Sequence, residues 1–324
     1  MGLVTETGEL GDSPRRAFCV IFVNNVLLSA EERLDGRYRV SKLLGRGGMG
    51  EVWAGERLAD KHPVALKVLL ERAACRKGIK QRFAREAEVT ARIDSPFVCP
   101  LLDQGFAQDG SMFLVFELLR GETLADRLRR EIFLPFDEVA PLMIDVFHGV
   151  HDAHQAKVLH RDLKPGNIFI KPEKHRGETA VILDFGVSKI IQSVQAQEES
   201  SLTAYDGTVG SFAYMAPEQV RGAARVDERA DVYGVASVAF RAMTGRLPFE
   251  GSSARMMASL KLDNHPPTLT EATGVLWPQK IEEFFALGLS RDPNERFESA
   301  QSAGEHLASV LAFTRQVRHA AARR

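Results

Sequence analysis

HRDLKPGN, His160 to Asn167, packs an imidazole, two cations, an acid, a proline, a glycine and an amide into one short stretch. Asp162, Lys164 and Asn167 fall at intervals that suit a loop better than a helix face or an alternating strand. Short apolar runs flank it, NIFI (Asn167 to Ile170) and AVIL (Ala180 to Leu183), and both read as strands. LDFG (Leu183 to Gly186) follows, with Asp184 22 residues beyond Asp162. A hard divalent cation such as Mg²⁺ takes oxygen ligands, and Asn167 and Asp184 can supply them. Asp162 is then left to accept a proton from a hydroxyl, and Lys164 to stabilise charge on a phosphoryl group. The loop therefore reads as base, phosphate clamp and metal ligand for phosphoryl transfer from ATP.

Upstream, from Tyr38 to Val68, YRVSKLLG, EVWAGERL and VALKVLL read as short strands separated by glycines. The first turn holds Gly45, Gly47 and Gly50 as G-x-G-x-x-G, which suits a backbone approaching phosphate oxygens but equally a plain hairpin. Its place between two strands disfavours a Rossmann unit. Lys67 in the third strand gains meaning only with an anionic partner, which Glu86 on the next predicted helix (Gly78 to Ile93) can supply. That helix is read from Phe83, Ala87 and Ala91 at four-residue spacing. Ser111 to Leu119 reads as an apolar strand and GETLADRLRR as a short helix start. Helices dominate beyond Phe136, at Asp137–His154, Asp231–Gly245 and Pro278–Ser290. A polar loop fills Gln192 to Gly207, long enough to suggest function.

The bulk composition is ordinary for a globular protein, with 44% hydrophobic and 26% charged residues. A net charge of −1 over 324 residues gives no footprint for nucleic acid or an anionic membrane. Cys19, Cys75 and Cys99 are scattered singly, which suggests neither a disulfide framework nor a metal cluster, and a cytoplasmic setting is expected. The apolar run Ala17 to Leu28 contains Asn24 and Asn25, lacks a small-residue cleavage site and is short for a membrane span. MGLVTE has Glu6 where a myristoylation motif has Ser or Thr. Residues 1–34 are therefore read as a non-targeting extension, and no membrane span is expected.

Glycine loop, Lys67, Glu86, HRDLKPGN, DFG, APE and a late arginine, in that order, resemble the eukaryotic-like (Hanks-type) Ser/Thr protein kinases. GRGGMGEV and YMAPEQ look like the bacterial branch, and the likeness runs from Tyr38 to Ala312. It implies an α+β, bilobal protein-kinase fold: an antiparallel, β-rich N-lobe with one regulatory helix, and a mostly helical C-lobe. The expected bounds are 35–314 for the kinase domain (N-lobe about 35–116, hinge about 117–120, C-lobe about 121–314) and 315–324 for a basic tail.

The resemblance also implies roles. Asp162 would be the catalytic base, with Asn167 and Asp184 binding Mg²⁺ (or Mn²⁺). Glu117 to Leu119 would meet adenine of ATP, with Phe116 guarding the back pocket. Leu44, Val52, Ala65 and Phe169 match apolar adenine-contacting positions, and Val52, Ala65 and Phe169 would look the same as ordinary core. Lys164 points to Ser/Thr acceptors, and Ser211 would line the substrate pocket. Asp231 would bond the catalytic-loop backbone, and Glu218 with Arg296 would form a buried ion pair. Arg161, Lys189 and Arg82 match a phosphate pocket for activation-loop phosphorylation, at Thr203 or Thr208 ahead of Ser200 and Ser201. Thr90 departs from a usually apolar position and is expected to loosen the helix carrying Glu86. Glu122 suits a substrate cation, the ATP ribose or a plain helix-start acid.

Protein substrates are the expected partners, with an upstream kinase or regulator and a transient homodimer for trans-autophosphorylation left open. The rival readings are a silent pseudokinase scaffold and a kinase-like small-molecule phosphotransferase. Lys67, Asp162 and Asp184 weigh against the first, Lys164 and Glu218 against the second.

Overall fold

Period-two alternation builds the N-terminal half. In the computed structural model, which describes residues 31–47, 50–69, 79–185, 212–222 and 226–322, strands β1 (Arg33–Leu34), β2 (Tyr38–Gly47), β3 (Gly50–Arg57) and β4 (Pro63–Leu69) lead to helix α1 (Ile79–Thr90). Strands β5 (Leu101–Phe106) and β6 (Met112–Glu117) complete a six-stranded sheet in the order β1-β2-β3-β4-β6-β5. Every pair in it is antiparallel. On β4, Val64, Leu66 and Val68 join Leu34, Trp53 and Phe113 in one apolar cluster. The intervening Ala65, Lys67 and Leu69 lie on the opposite face, as the pleat requires. Strand β6 is apolar on both faces: Phe113 and Val115 enter that cluster, while Met112, Leu114 and Phe116 pack beneath Ala87 of α1.

One strand was not read from the sequence, and one helix departs from its expected pattern. Strand β5 has no apolar alternation, because its Asp103 is spent on Arg37 and on the Tyr38 hydroxyl, which donates to it at 2.6 Å. Helix α1 stops at Thr90, and the chain tightens with Ile93 N–H donating to Thr90 O at 3.1 Å. Ala91, expected on the apolar face, is exposed, and Ile93 is buried in its place.

Gly50 has a requirement of its own. Its φ is +148°, and a Cβ there would lie 2.0 Å from the Val68 carbonyl oxygen of β4. Glycine at this position is fixed by the approach of the neighbouring strand, whereas a Cβ at Gly45 would meet open space.

The C-terminal half follows as β7 (Glu122–Thr123), α2 (Leu124–Glu131), α3 (Phe136–Gln155), β8 (Ile168–Glu173), β9 (Gly177–Ile182), α4 (Pro217–Val220), α5 (Arg229–Thr244), α6 (Ala254–Asp263), α7 (Leu269–Thr273), α8 (Gln279–Gly288) and α9 (Ala300–Ala322). Helix α2 starts on a reciprocal cap between Thr123 and Asp126. Helix α5 is apolar nearly all round and lies buried at the centre of the large core, against α3. The β8–β9 turn is exposed, yet Arg176 ties it to buried Asp145 of α3 at 2.8 Å. The expected boundary after residue 314 falls inside α9, whose Arg318 pairs with Asp137 of α3.

The lobes are stitched by backbone. Val98 bridges Ile182 in parallel, and the Cys99 N–H donates to Ile182 O at 2.9 Å. That stitch sets the DFG-bearing segment directly beneath the N-terminal sheet. Among the described residues no helix is long and apolar enough to cross a membrane. Ala17–Leu28, Lys189, Ser200, Ser201, Thr203, Thr208 and Ser211 lie outside the described residues, as do the side chains of Arg82 and Glu86.

Candidate active site

Pro165 opens a 3-10 turn, Pro165–Asn167, that folds HRDLKPGN back on itself. Lys164 Nζ thereby reaches Asp162 Oδ2 at 2.6 Å. The Asn167 amide NH₂ donates to the Asp162 carbonyl at 2.8 Å, which leaves its amide oxygen as the outward end of the side chain. The Leu183 N–H donates to Asn167 O at 2.8 Å, and His160 Nε2 meets Leu183 O at 3.0 Å. These two bonds lock the segment carrying Asp184 onto the loop carrying Asp162.

The loop is held from below by Asp231, at the start of α5. Its carboxylate accepts the His160 and Arg161 amides at 2.8 Å each, and His154 Nε2 lies 2.9 Å away. Burial alone would raise the Asp231 carboxyl. The His154 hydrogen bond, both histidines and the Arg161 amide outweigh that and keep it below its ordinary range. The expected scaffold role of Asp231 matches these contacts. Arg161 and Asp184 adopt φ of +65° and +62°, a left-handed conformation that costs a non-glycine residue about 1–3 kcal/mol. Such strain persists only where surrounding bonds over-determine the backbone, as they do here.

From the upper lobe, Lys67 on the cleft face of β4 reaches Asp184 Oδ2 at 2.7 Å. Lys67 is 7% exposed, so the lysine end of the pair is out of water, while the Asp184 side chain stays partly open. The expected partner of Lys67 was Glu86; the carboxylate that the described residues give it is Asp184. Register brings Val52 opposite Lys67 and Ala65 opposite Phe116, so these four line one wall. Phe116 is buried with Ala65, Leu119 and Leu183, which suits a back-pocket residue. Phe169 is half-buried beside Gly121, and Leu44 is half exposed at the cleft mouth. The Glu117 carbonyl accepts weakly from the Cys99 thiol at 3.7 Å, and a carbonyl can take a second donor. Burial pushes that thiol up to about 12, so Cys99 is inert.

Several residues here were not read from the sequence. Buried Glu51 braces the glycine-rich hairpin by accepting from Trp53 Nε1 at 2.9 Å and pairing Arg46 at 2.8 Å. Gln219, directly after APE, donates to the Arg161 carbonyl at 2.9 Å and accepts from the Ala216 amide at 3.0 Å. Lys261 is 1% exposed and donates to the carbonyls of Ala213 and Met215. Its signal was present in MMASLKL, where Met257 and Lys261 share a buried face at four-residue spacing. Hydrogen bonds from Arg130, opposed by desolvation and joined by Arg127, hold Glu122 down at about 2, and it is paired with both of these cations. Glu218 and Arg296 form the expected pair, bidentate at 2.8 Å for both bonds.

Asn167 and Asp184 fit a magnesium site of the kind that uses one or two protein oxygens and completes its shell with phosphates and water. The hard oxygens, the nearby lysines and the apolar wall suit a nucleotide triphosphate.

Comparison with known proteins agrees with this geometry. The protein kinase domain family matches residues 38–307. Serine/threonine-protein kinase pkn3 of Myxococcus xanthus is 36% identical over 275 residues, covering 85% of this chain and 50% of that protein. Serine/threonine-protein kinase PrkC of Bacillus subtilis is 31% identical over 83% of this chain and 40% of its own length. The chain thus spans half or less of these two relatives. Among solved structures, the Mycobacterium tuberculosis PknI kinase domain superposes with a TM-score of 0.67 at 26% identity, over 87% of this chain and 99% of that one. The order of motifs and the cleft they form across two lobes have one common source: the chain belongs to the protein kinase family, in its bacterial serine/threonine branch.

Proposed function

We propose that this chain is catalytically active and transfers the γ-phosphoryl group of ATP to Ser or Thr hydroxyls of proteins, the reaction class EC 2.7.11.1, with Mg²⁺ or Mn²⁺ as metal. The observation that carries this is the Lys67–Asp184 pair at 2.7 Å, closed across the cleft above the Asp162–Lys164–Asn167 loop. A scaffold that had lost catalysis would have no need of all five groups.

Bound ATP and metal would supply the transferable phosphoryl group and neutralise its charge. Asn167 and Asp184 would hold the metal. Lys67 would orient the phosphates, and Ala65, Val52, Phe169 and Leu44 would enclose adenine against the hinge at Glu117–Leu119. Asp162 would accept the proton leaving the acceptor hydroxyl, while Lys164, 2.6 Å from its carboxylate, would stabilise charge on the transferred group. Thr203 and Thr208 remain the proposed regulatory phosphosites, with Arg161, Lys189 and Arg82 as their cationic pocket and Ser211 near the acceptor. A cytoplasmic protein phosphorylated by a second copy or by another kinase fits this reading. The kinase unit would occupy about 35–314.

Incubated with Mg·ATP and matched Ser, Thr and Tyr peptides, the protein is expected to label Ser and Thr peptides and leave Tyr peptides unlabelled. Labelling confined to small-molecule alcohols, or equal labelling of Tyr, would contradict the reading.

A further inference from the structure

Helix α6 carries an ammonium where its packing asks for a hydrocarbon. Lys261 is 1% exposed and lies on the same buried face as Met257. Burying an unpaired cation is unfavourable, and a methionine of similar length would fill the site without that cost. The ammonium is used in a specific way: Nζ donates to Ala213 O at 2.8 Å and to Met215 O at 2.6 Å. These carbonyls flank Tyr214, so the two bonds fix the backbone on both sides of one residue.

That residue stands at the site. Tyr214 and Met215 adjoin Arg161, Asp162 and Leu163 along a packed seam that leaves no room for water. Gln219 holds the same segment from its other end, bonding the Ala216 amide and the Arg161 carbonyl. Helix α6 is itself anchored, since Arg291 Nη1 donates to Leu262 O at 3.1 Å. The Tyr233 ring of α5 lies 5.4 Å from Lys261 Nζ and 4.9 Å from the Arg296 guanidinium. Lys261 therefore connects a fixed helix to the wall beside the base.

We propose that Lys261 is a positioning residue for the protein acceptor: by holding the Ala213 and Met215 carbonyls it fixes the wall past which an acceptor hydroxyl reaches Asp162. The proposal rests on the kinase reading above and names a determinant of acceptor binding within it. Lys261 supplies both of these side-chain bonds to the segment, so losing them frees it. The residues proposed above to hold nucleotide sit on other elements and do not share these bonds.

The test compares the wild type with Lys261→Met and Lys261→Arg, using a Ser/Thr peptide that the wild type phosphorylates. Steady-state KM for the peptide, Kd for Mg·ADP and Tm are measured on each. Lys261→Met is expected to raise the peptide KM about tenfold. Its Mg·ADP Kd should stay within about twofold and its Tm within about 3 °C of the wild type. Lys261→Arg keeps the charge and the donors and should bring KM back to within about threefold. An unchanged peptide KM in Lys261→Met overturns the proposal. So does a fall in Tm beyond about 10 °C, or a parallel loss of nucleotide affinity, which identifies a lysine that serves the fold alone. Absence of transfer from the wild type contradicts the kinase reading itself, a result separable from both.

Discussion

Asp184→Asn is expected to lower the rate of phosphoryl transfer about a thousandfold while the protein stays folded. The carboxylate has two tasks that an amide performs poorly. In the proposed reaction it offers a full negative charge to the metal, and it pairs the buried Lys67 at 2.7 Å. Metal stabilisation of transition-state charge is worth several kcal/mol, and about 4 kcal/mol corresponds to a factor of 10³ in rate. The isosteric change leaves the backbone bonds from Leu183 to Asn167 intact, so Tm should move little. Single-turnover kinetics across a Mg²⁺ titration read the effect. A loss smaller than tenfold at saturating metal would mean that Asp184 is not a principal ligand.

Arg296→Ala is expected to cost about 3–5 kcal/mol of stability, the range for breaking a buried ion pair by removing one partner. The Arg296 side chain is fully buried and holds Glu218 in a bidentate pair. It also donates to the carbonyls of Ser290, Arg229 and Arg291 at 2.7, 3.1 and 3.2 Å. Truncation leaves the carboxylate and three carbonyls without that donor, behind the segment that shapes the acceptor side. Against a typical stability of about 5–15 kcal/mol this is a large share, and Tm should fall by roughly 10 °C. Replacing both partners together, as Glu218→Leu with Arg296→Met, should recover part of the loss, because no charge is then stranded. Urea unfolding of the three variants decides it. Equal destabilisation by the single and double changes would show that packing, not the stranded carboxylate, dominates.

The chemistry of this chain was more legible in its sequence than its supports were. Asp162, Lys164, Asn167 and Asp184 stand out because the proposed phosphoryl transfer restricts residue types and the first three share one loop. The strands at β2, β3 and β4 show between their turn glycines, and β6 shows because MFLVFE is a short apolar run buried on both faces. Strand β5 escaped because Asp103 and Gly105 break that pattern, and only the partners Arg37 and Tyr38 explain the acid. Gly50 suggested a phosphate cradle, whereas the Val68 carbonyl of the adjacent strand already dictates it. Glu122 suggested an open acidic site until Arg127 and Arg130 were seen to close on it. The spacing in MMASLKL marks Lys261 as buried, but no local pattern announces the distant carbonyls that Lys261 and Gln219 bond.

The central claim, that this cleft transfers phosphate, is tested most directly by intact-mass spectrometry of the purified protein after incubation with Mg·ATP, beside Asp162→Asn. The wild type is predicted to gain mass in steps of one phosphate, and the variant, which lacks the base, to gain none over the same time. Peptide mapping should then find the phosphate on Thr203 or Thr208. Mass gain of equal extent in both proteins, or none in the wild type even with an added Ser/Thr peptide left unlabelled, would contradict the account.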